Sequence, residues 1–146
     1  MDWKPAAVQR LKDYEARKNA IKLITEQLET LEMQYTAIRG AKTDGEPVMG
    51  GEGNRRENAL ISNIAMRDEL KANKKIAARE IAITEKGLAA LNHEERRILE
   101  VFYICRPYDH VTRLCEELSV EKSEVYRRKT AALDKFTIAC YGVVKI

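Results

Sequence analysis

The chain has 146 residues, of which 45 % are apolar, 34 % are charged and only 6 % are aromatic. This length suits one medium domain or two small ones. The apolar fraction excludes a disordered chain, and high charge with few aromatic residues favours long, exposed helices over a compact globule. A net charge of +3, from 26 basic and 23 acidic residues, permits nucleic-acid binding without arguing for it.

No stretch of the sequence resembles a signal peptide or a membrane span, so we expect a cytoplasmic protein with no membrane partner. The three cysteines, Cys105, Cys115 and Cys140, contain no CxxC pair. Together with His110 they are spaced more widely than the ligands of a structural zinc site. We therefore expect reduced thiols, no metal and no cofactor.

The first predicted helix begins near Pro5, because proline suits a first helical turn. Further along, six apolar residues recur alternately three and four positions apart. They are Ile21, Ile24, Leu28, Leu31, Tyr35 and Ile38. This a/d spacing indicates a helix with a narrow seam for another helix.

A glycine-rich link is predicted at 40–56, where five of the seven glycines lie. Gly40 and Gly45 have the outer spacing of a phosphate-binding loop. Glu46 and Pro47, however, stand where that loop needs lysine and serine or threonine. A carboxylate there repels phosphate, so we interpret the segment as a linker.

A second long helix is predicted from Arg56 to Lys86, with Gly87 as its stop. Two long helices joined by a link most simply form an antiparallel, coiled-coil-like hairpin, which we assign to residues 1–87. Neither helix buries much surface alone. We therefore expect dimerisation or packing on the C-terminal part of the chain, with a homo-oligomer, most simply a dimer, as the expected assembly.

In residues 88–146 the sequence pattern predicts short helices in place of long ones. Asn92, with Glu95 three residues later, has the pattern of a capping box and predicts a helix start. Pro107 is expected to end this helix. Its predicted buried residues are Ile98, Leu99, Phe102 and Tyr103.

A second short helix is predicted after Asp109, whose carboxylate can cap it. Its predicted inward residues are Val111, Leu114, Cys115 and Leu118. The chain then turns at Ser119 and Val120 into a third helix. The apolar residues of the third helix form one stripe at 3.6 residues per turn: Val125, Ala132, Leu133 and Phe136.

Burial of that stripe would turn a basic, hydroxyl-bearing and aromatic face outward. The residues of this face are Lys122, Ser123, Tyr126, Arg127 and Thr130. A recognition helix presents such groups to base edges and phosphates in the major groove. The pattern therefore predicts a tri-helical helix-turn-helix, with an ordinary solvated helix face as the alternative.

The segments LNHEERRILEVFYI and LCEELSVEKSEVYRRKTAALDKF resemble the C-terminal helix-turn-helix of sigma factors, which reads the −35 promoter element. The whole chain resembles the ArpU and RinA families of phage late regulators, in which a helical, coiled-coil-like part precedes a sigma-like reader. PVMGGEGNRRENALI is similar to the glycine-containing interruption between their long helices. The resemblance implies an all-α activator of a phage packaging and morphogenesis operon, acting on promoter DNA in the bacterial host cytoplasm.

Carried onto this chain, the resemblance implies two sets of DNA contacts. The base-edge set is Lys122, Ser123, Tyr126 and Arg127, with Thr130 on the same face. The phosphate set is Arg113, Arg128 and Lys129. Arg127 would pair with guanine, and Glu124 could accept from cytosine. The chain departs from the family at Ser119, where glycine is frequent, and at Glu121, where serine often caps the helix.

Two other functions fit the same pattern. A small terminase subunit also joins a helix-turn-helix to oligomerising helices, although it usually places the DNA-binding unit first. A coiled-coil adaptor would engage RNA polymerase or a sigma factor without touching DNA. No nucleophile, base and orienting acid can be assembled from the sequence, so we expect no enzyme.

Overall fold

Five helices form the regular structure of the residues that the computed structural model describes, 1–40 and 52–146. They are α1 (Lys4–Gly40), α2 (Glu52–Ala89), α3 (His93–Leu99), α4 (His110–Leu118) and α5 (Lys122–Tyr141). A π-helical turn at Glu100–Ile104 continues α3, and Asp2 forms an isolated bridge with Lys145. The all-α prediction is confirmed for these ranges, and no helix in them is long and apolar enough to cross a membrane.

Both long helices were predicted, but α2 is longer than expected. It starts at Glu52, so residues 52–56, which we assigned to the link, are helical. It ends at Ala89, so the prediction of Gly87 as a stop is wrong. Gly45, Glu46 and Pro47, which we compared with a phosphate-binding loop and assigned to the linker, lie outside the described residues.

Gly87 serves close packing. A Cβ atom added there would lie 2.5 Å from Cys140 Sγ and 2.6 Å from Phe136 Cε2. Only a residue without a side chain lets α2 approach α5 this closely, although a glycine inside a helix costs about 0.5–1 kcal/mol relative to alanine. The packing of α5 therefore explains a residue that the sequence pattern suggested as a helix end.

The chain divides into two compact units, residues 1–18 with 78–146 and residues 19–77. The sequence pattern predicted a domain boundary after residue 87, where long helices give way to short helical units. In the first unit, the start of α1 and the end of α2 share one core with the short helices. This core contains Ala7, Leu11, Leu88, Leu99, Ala132, Leu133 and Phe136. A second cluster contains Ile98, Val101, Phe102, Leu114 and Val125.

The predicted inward faces of the short helices are confirmed. The stripe of α5 is buried, as are Ile98, Leu99 and Phe102 on α3 and its π-helical turn. Tyr103 is half-buried. On α4, Leu114 is fully buried, and the other three predicted residues pack against the second cluster.

Polar contacts tie the long helices to α5 within the first unit. Arg10 Nε donates to the Tyr141 hydroxyl at 3.1 Å, and its Nη1 pairs with the Glu80 carboxylate. The Trp3 ring stacks on Tyr141 with 4.9 Å between centroids. These contacts explain why residues 1–18 belong with the C-terminal helices.

The predicted capping box of α3 is confirmed, whereas the cap of α4 is wrong. Asn92 Oδ1 accepts from the Glu95 N–H at 2.8 Å, and Glu95 Oε1 accepts from the Asn92 N–H at 3.2 Å. Asp109 stands at the N-cap of α4 but makes no side-chain cap. Its carboxylate instead pairs with Arg113 Nε at 2.8 Å, because this charged partner lies one turn further on.

In the second unit, α1 and α2 run antiparallel. Asn63 Nδ2 donates to the Leu31 carbonyl at 2.8 Å, and Arg56 Nη2 donates to the Arg39 carbonyl at 2.6 Å. The guanidinium of Arg67 lies 4.8 Å from the Tyr35 ring centroid. All six residues of the predicted a/d seam are half-buried, as expected for a seam covered by one neighbouring helix.

Candidate nucleic-acid interface

A tight turn joins α4 to α5. Ser119 ends α4 in the left-handed region, at φ 54° and ψ 45°, and the Val120 N–H donates to the Cys115 carbonyl at 3.2 Å. A residue with a Cβ costs about 1 kcal/mol in this conformation. The expectation that Ser119 adopts the turn geometry is confirmed. Glu121 takes the N-cap position of α5 and makes no side-chain cap.

The outward face of α5 is oriented as predicted. Lys122, Ser123, Tyr126, Arg127 and Thr130 are all exposed, and the Arg127 side chain is 72 % exposed. The buried stripe on the opposite side fixes this orientation. The exposure of these residues is therefore confirmed, while their contacts with DNA remain predictions.

Two glutamates hold the arginines of α5. Glu124 accepts from Arg127 Nε at 2.8 Å, from Arg127 Nη2, and from Arg128 Nε at 2.9 Å. These hydrogen bonds, from Arg127 first and then from Arg128, lower the pKa of Glu124 to about 2. Three of the roughly four acceptor sites of the Glu124 carboxylate are thus engaged by arginines, so in this arrangement little of its accepting capacity remains for a cytosine.

Arg128 also connects α5 to α3. Its Nη1 donates to Glu94 Oε1 at 2.6 Å, and its side chain is 33 % exposed. Arg128 is therefore held by carboxylates on both α3 and α5. Among the described residues, Arg127 forms an ion pair with Glu124 alone, and its side chain projects further into solvent. Phosphate binding by Arg128 stays a prediction.

An aromatic cluster lies beside the arginines. The Tyr126 ring meets Phe102 edge-on at 5.8 Å between centroids, and Tyr126 is 40 % exposed. Lys129 Nζ lies 5.5 Å from the Phe102 centroid and 5.7 Å from that of Tyr126. Tyr126 therefore contacts the core through its ring edge and meets solvent with its remaining surface.

The remaining predicted phosphate contact, Arg113, lies on α4. Its side chain is 59 % exposed and pairs with Asp109. Ion pairs at this exposure contribute little to stability, so they can exchange for a phosphate at small cost. Seven of the eight predicted DNA-binding residues thus lie on α5, and Arg113 lies on the helix before it.

The sequence interpretation missed the roles of Glu94 and Glu124 as arginine partners. Glu124 could have been found, because Arg127 and Arg128 follow it at three and four residues, the spacing of helical ion pairs. Glu94 could not have been found from local spacing, since it lies 34 residues from Arg128.

A second polar feature of the first unit is a cavity of about 170 Å³. Its lining includes Tyr14, Lys18, Arg96, Glu100 and Cys105. The Tyr14 hydroxyl donates to Glu85 at 2.9 Å, and burial, then Glu85, raises the pKa of Tyr14 to about 12. Tyr14 therefore stays protonated at neutral pH and cannot serve as a base there.

The outer surface of α5 therefore combines cations, hydroxyl groups and an aromatic edge on a helix with a buried opposite side. Within residues 1–40 and 52–146, no three histidine, cysteine or acidic side chains are placed to hold a metal ion. Comparisons of the chain with protein-family models, with curated proteins and with solved structures find no match.

Proposed function

We propose that the protein is a sequence-specific DNA-binding transcription regulator that reads double-stranded promoter DNA with α5. One observation carries the proposal: α5 buries its apolar stripe in a core shared with α3 and α4 and leaves a cationic N-terminal half exposed after a tight turn. This arrangement fits a helix-turn-helix whose recognition helix enters the major groove.

The geometry of Arg127 supports a role in base reading. An arginine has five N–H donors, and Glu124 accepts from two atoms at one edge of the guanidinium, Nε and Nη2. Donors on Nη1 and Nη2 remain for the O6 and N7 acceptors of a guanine. Glu124 would then act as the residue that orients Arg127, in place of the cytosine contact expected from the sequence.

Phosphate contacts would hold the helix in register. Arg113 and Lys122 are exposed cations near the two sides of the turn, and Lys129 lies further along α5. Phosphate contacts fix the position of a protein on a duplex without reading its sequence. Arg128, anchored by Glu94, would serve as a less adaptable clamp.

The resemblance to the ArpU and RinA regulators supports a more specific role. In that role the protein activates a phage late operon for packaging and morphogenesis in the bacterial host, with host RNA polymerase as a further partner. The order of the chain, with long helices before the reader, agrees with this resemblance.

Selection of duplexes from a random pool by the full-length protein tests the proposal. We expect enrichment of a defined sequence, and we expect footprinting on a selected duplex to show protection in the major groove. Enrichment of no sequence, with no shift of any duplex at low salt, would contradict DNA reading and would favour the adaptor function. Recovery of a large multi-subunit ring by light scattering would instead favour a terminase-like packaging protein.

A further inference from the structure

One arginine of the candidate interface is bound to two helices. Arg128 Nε donates to Glu124 Oε1 at 2.9 Å within α5, and its Nη1 donates to Glu94 Oε1 at 2.6 Å in the first turn of α3. Arg113 and Arg127 each pair with a carboxylate only three or four residues away. Within the described residues, Arg128 is therefore the one arginine of this interface whose ion pairs reach another helix.

The turn that carries Glu94 is fixed relative to α5. The capping box closes this first turn of α3. One turn further on, Ile98 is buried in the cluster that also contains Val125 of α5. A second ion pair between the two helices joins Lys135 Nζ to Glu95 Oε2 at 3.0 Å. Glu94 therefore holds Arg128 from a support that is packed, capped and independently paired.

The two carboxylates leave one nitrogen of Arg128 available. A guanidinium has three nitrogens, and here Nε and Nη1 are engaged. Nη2, with two N–H donors, has no hydrogen-bond acceptor within the described residues, and it is not enclosed, so solvent reaches it. An oxyanion outside the protein can therefore bind at Nη2 of Arg128 while the other two nitrogens stay paired.

A held guanidinium binds phosphate differently from a free cation. An exposed side chain such as that of Lys122 can follow a phosphate to several positions, but it loses rotamer freedom when it binds. That loss weakens binding by about two- to twelvefold for each immobilised side chain. Arg128 has already lost this freedom to its carboxylate partners. It therefore binds a phosphate at a smaller entropic cost, but only where Nη2 already lies.

This difference matters because DNA is bound in two ways. On its own sequence, a recognition helix is fixed in one register by base contacts. On other sequences, phosphate contacts supply essentially all of the binding, and the protein slides through many registers. A donor in one fixed position is matched in the first case and only occasionally in the second. The contact made by Arg128 therefore favours the complex in which the bases are read.

We propose that Glu94 determines sequence specificity without touching DNA: with Glu124 it holds Arg128 so that Nη2 binds a backbone phosphate only in the register set by base contacts. Glu94 is thus a positioning residue that acts through Arg128. An arginine that reads no base then contributes to the choice of one sequence. This inference rests on the proposed function, since it requires a sequence that the protein prefers.

The selectivity ratio of the full-length protein tests the proposal. This ratio is the dissociation constant on a scrambled duplex divided by that on a selected duplex, both measured at one salt concentration. Glu94→Gln should lower the ratio by about two- to twelvefold, because Arg128 is then free to adapt. Arg128→Lys should lower it similarly, since lysine keeps the charge but lacks the planar fork that two carboxylates can hold.

Two controls separate this role from a simple change of charge. Glu121→Gln removes the same charge from an exposed residue at the N-cap of α5, which has no ion pair within the described residues, and it should leave the ratio unchanged. In a protein that already carries Arg128→Ala, Glu94→Gln should have no further effect on the ratio. Arg128→Ala alone should reduce the slope of log binding constant against log salt concentration by about 0.9 on the selected duplex, because one phosphate contact is lost.

A wild-type ratio well above one that Glu94→Gln leaves intact would overturn this proposal alone. So would an equal fall of the ratio in Glu121→Gln, or a further fall when Glu94→Gln is added to Arg128→Ala, because Glu94 would then not act through Arg128. A salt slope unchanged by Arg128→Ala would rule out the phosphate contact. Circular dichroism checks folding, and Arg128→Lys decides if Glu94→Gln does not fold. A wild-type ratio near one would contradict the proposed function, and this proposal with it.

Discussion

The two units of the chain are built from the same two long helices, yet they differ in burial and in charge pairing. Where α1 and α2 meet the short helices, at residues 1–18 and 78–89, apolar side chains enter closed clusters, and several charged side chains form ion pairs. In residues 19–40 and 52–77, the more regular a/d seam is only half-buried. The comparison teaches that regular spacing predicts a helix and its facing side, whereas the number of neighbouring elements decides how much of that side is buried.

Truncation of a core residue should produce the largest difference between the units. Phe136→Ala should lower the free energy of unfolding of the first unit by about 3–5 kcal/mol, because the ring is fully buried. Ile61→Ala, in the second unit, should change the free energy of unfolding by less than about 0.5 kcal/mol, because this residue is 58 % exposed. Chemical denaturation can be followed by fluorescence of Trp3, the single tryptophan, which stacks on Tyr141 in the first unit. Equal effects of the two changes would contradict the comparison.

A smaller effect is expected from two glycines on the same helix. Gly87→Ala should destabilise the first unit by about 1–3 kcal/mol, despite the better helix propensity of alanine, because its Cβ would overlap Phe136 and Cys140. Gly53→Ala is the matched control, since no atom lies within 4 Å of a Cβ added there. That change should be neutral or stabilising by up to about 1 kcal/mol. A neutral Gly87→Ala in the same denaturation assay would refute the close approach of α2 to α5.

The smallest expected effect concerns the paired charges of the first unit. Because the pKa of Glu124 is lowered to about 2 in the folded protein, its ion pairs stabilise the fold above the ordinary carboxyl pKa, and this contribution is lost as pH falls towards 2. The stability difference between the wild type and Glu124→Gln should therefore shrink as pH falls below about 4.5. A carboxyl titration followed by NMR should place the Glu124 midpoint near 2, and Arg127→Ala should raise it. A midpoint in the ordinary carboxyl range would show that Glu124 does not hold the arginines.

Local patterns predicted much of the fold. The a/d seam of α1, the capping box at Asn92 and the buried stripe of α5 each depend on residues within a few turns of one helix, so spacing suffices to find them. The left-handed backbone conformation of Ser119 was also predictable, because only a short connection separates the two helices. The outward face of α5 was predicted for the same reason, since it is the complement of the buried stripe.

Long-range packing accounts for what the sequence patterns missed. Ala7 and Leu11 lie in the main core of the first unit, but the apolar spacing near Pro5 is too irregular to indicate this. Glycine often ends a helix, but Gly87 lies inside α2, where its missing side chain leaves room for Phe136. Glu94, which anchors Arg128, is related to it only by the packing of α3 on α5. Each of these depends on residues that are distant in sequence, which one chain's spacing does not show.

If the exposed half of α5 reads base edges, Arg127 should contribute to the affinity for one sequence and much less to the affinity for DNA in general. Dissociation constants of the wild type and Arg127→Ala should be measured on a selected duplex and on a scrambled duplex at one salt concentration. We expect Arg127→Ala to lose about 1–3 kcal/mol of binding free energy on the selected duplex and clearly less on the scrambled one. Lys12→Ala, which removes the same charge from an exposed site on α1, is the control. Equal, small effects of Arg127→Ala on both duplexes, indistinguishable from those of the control, would contradict the claim.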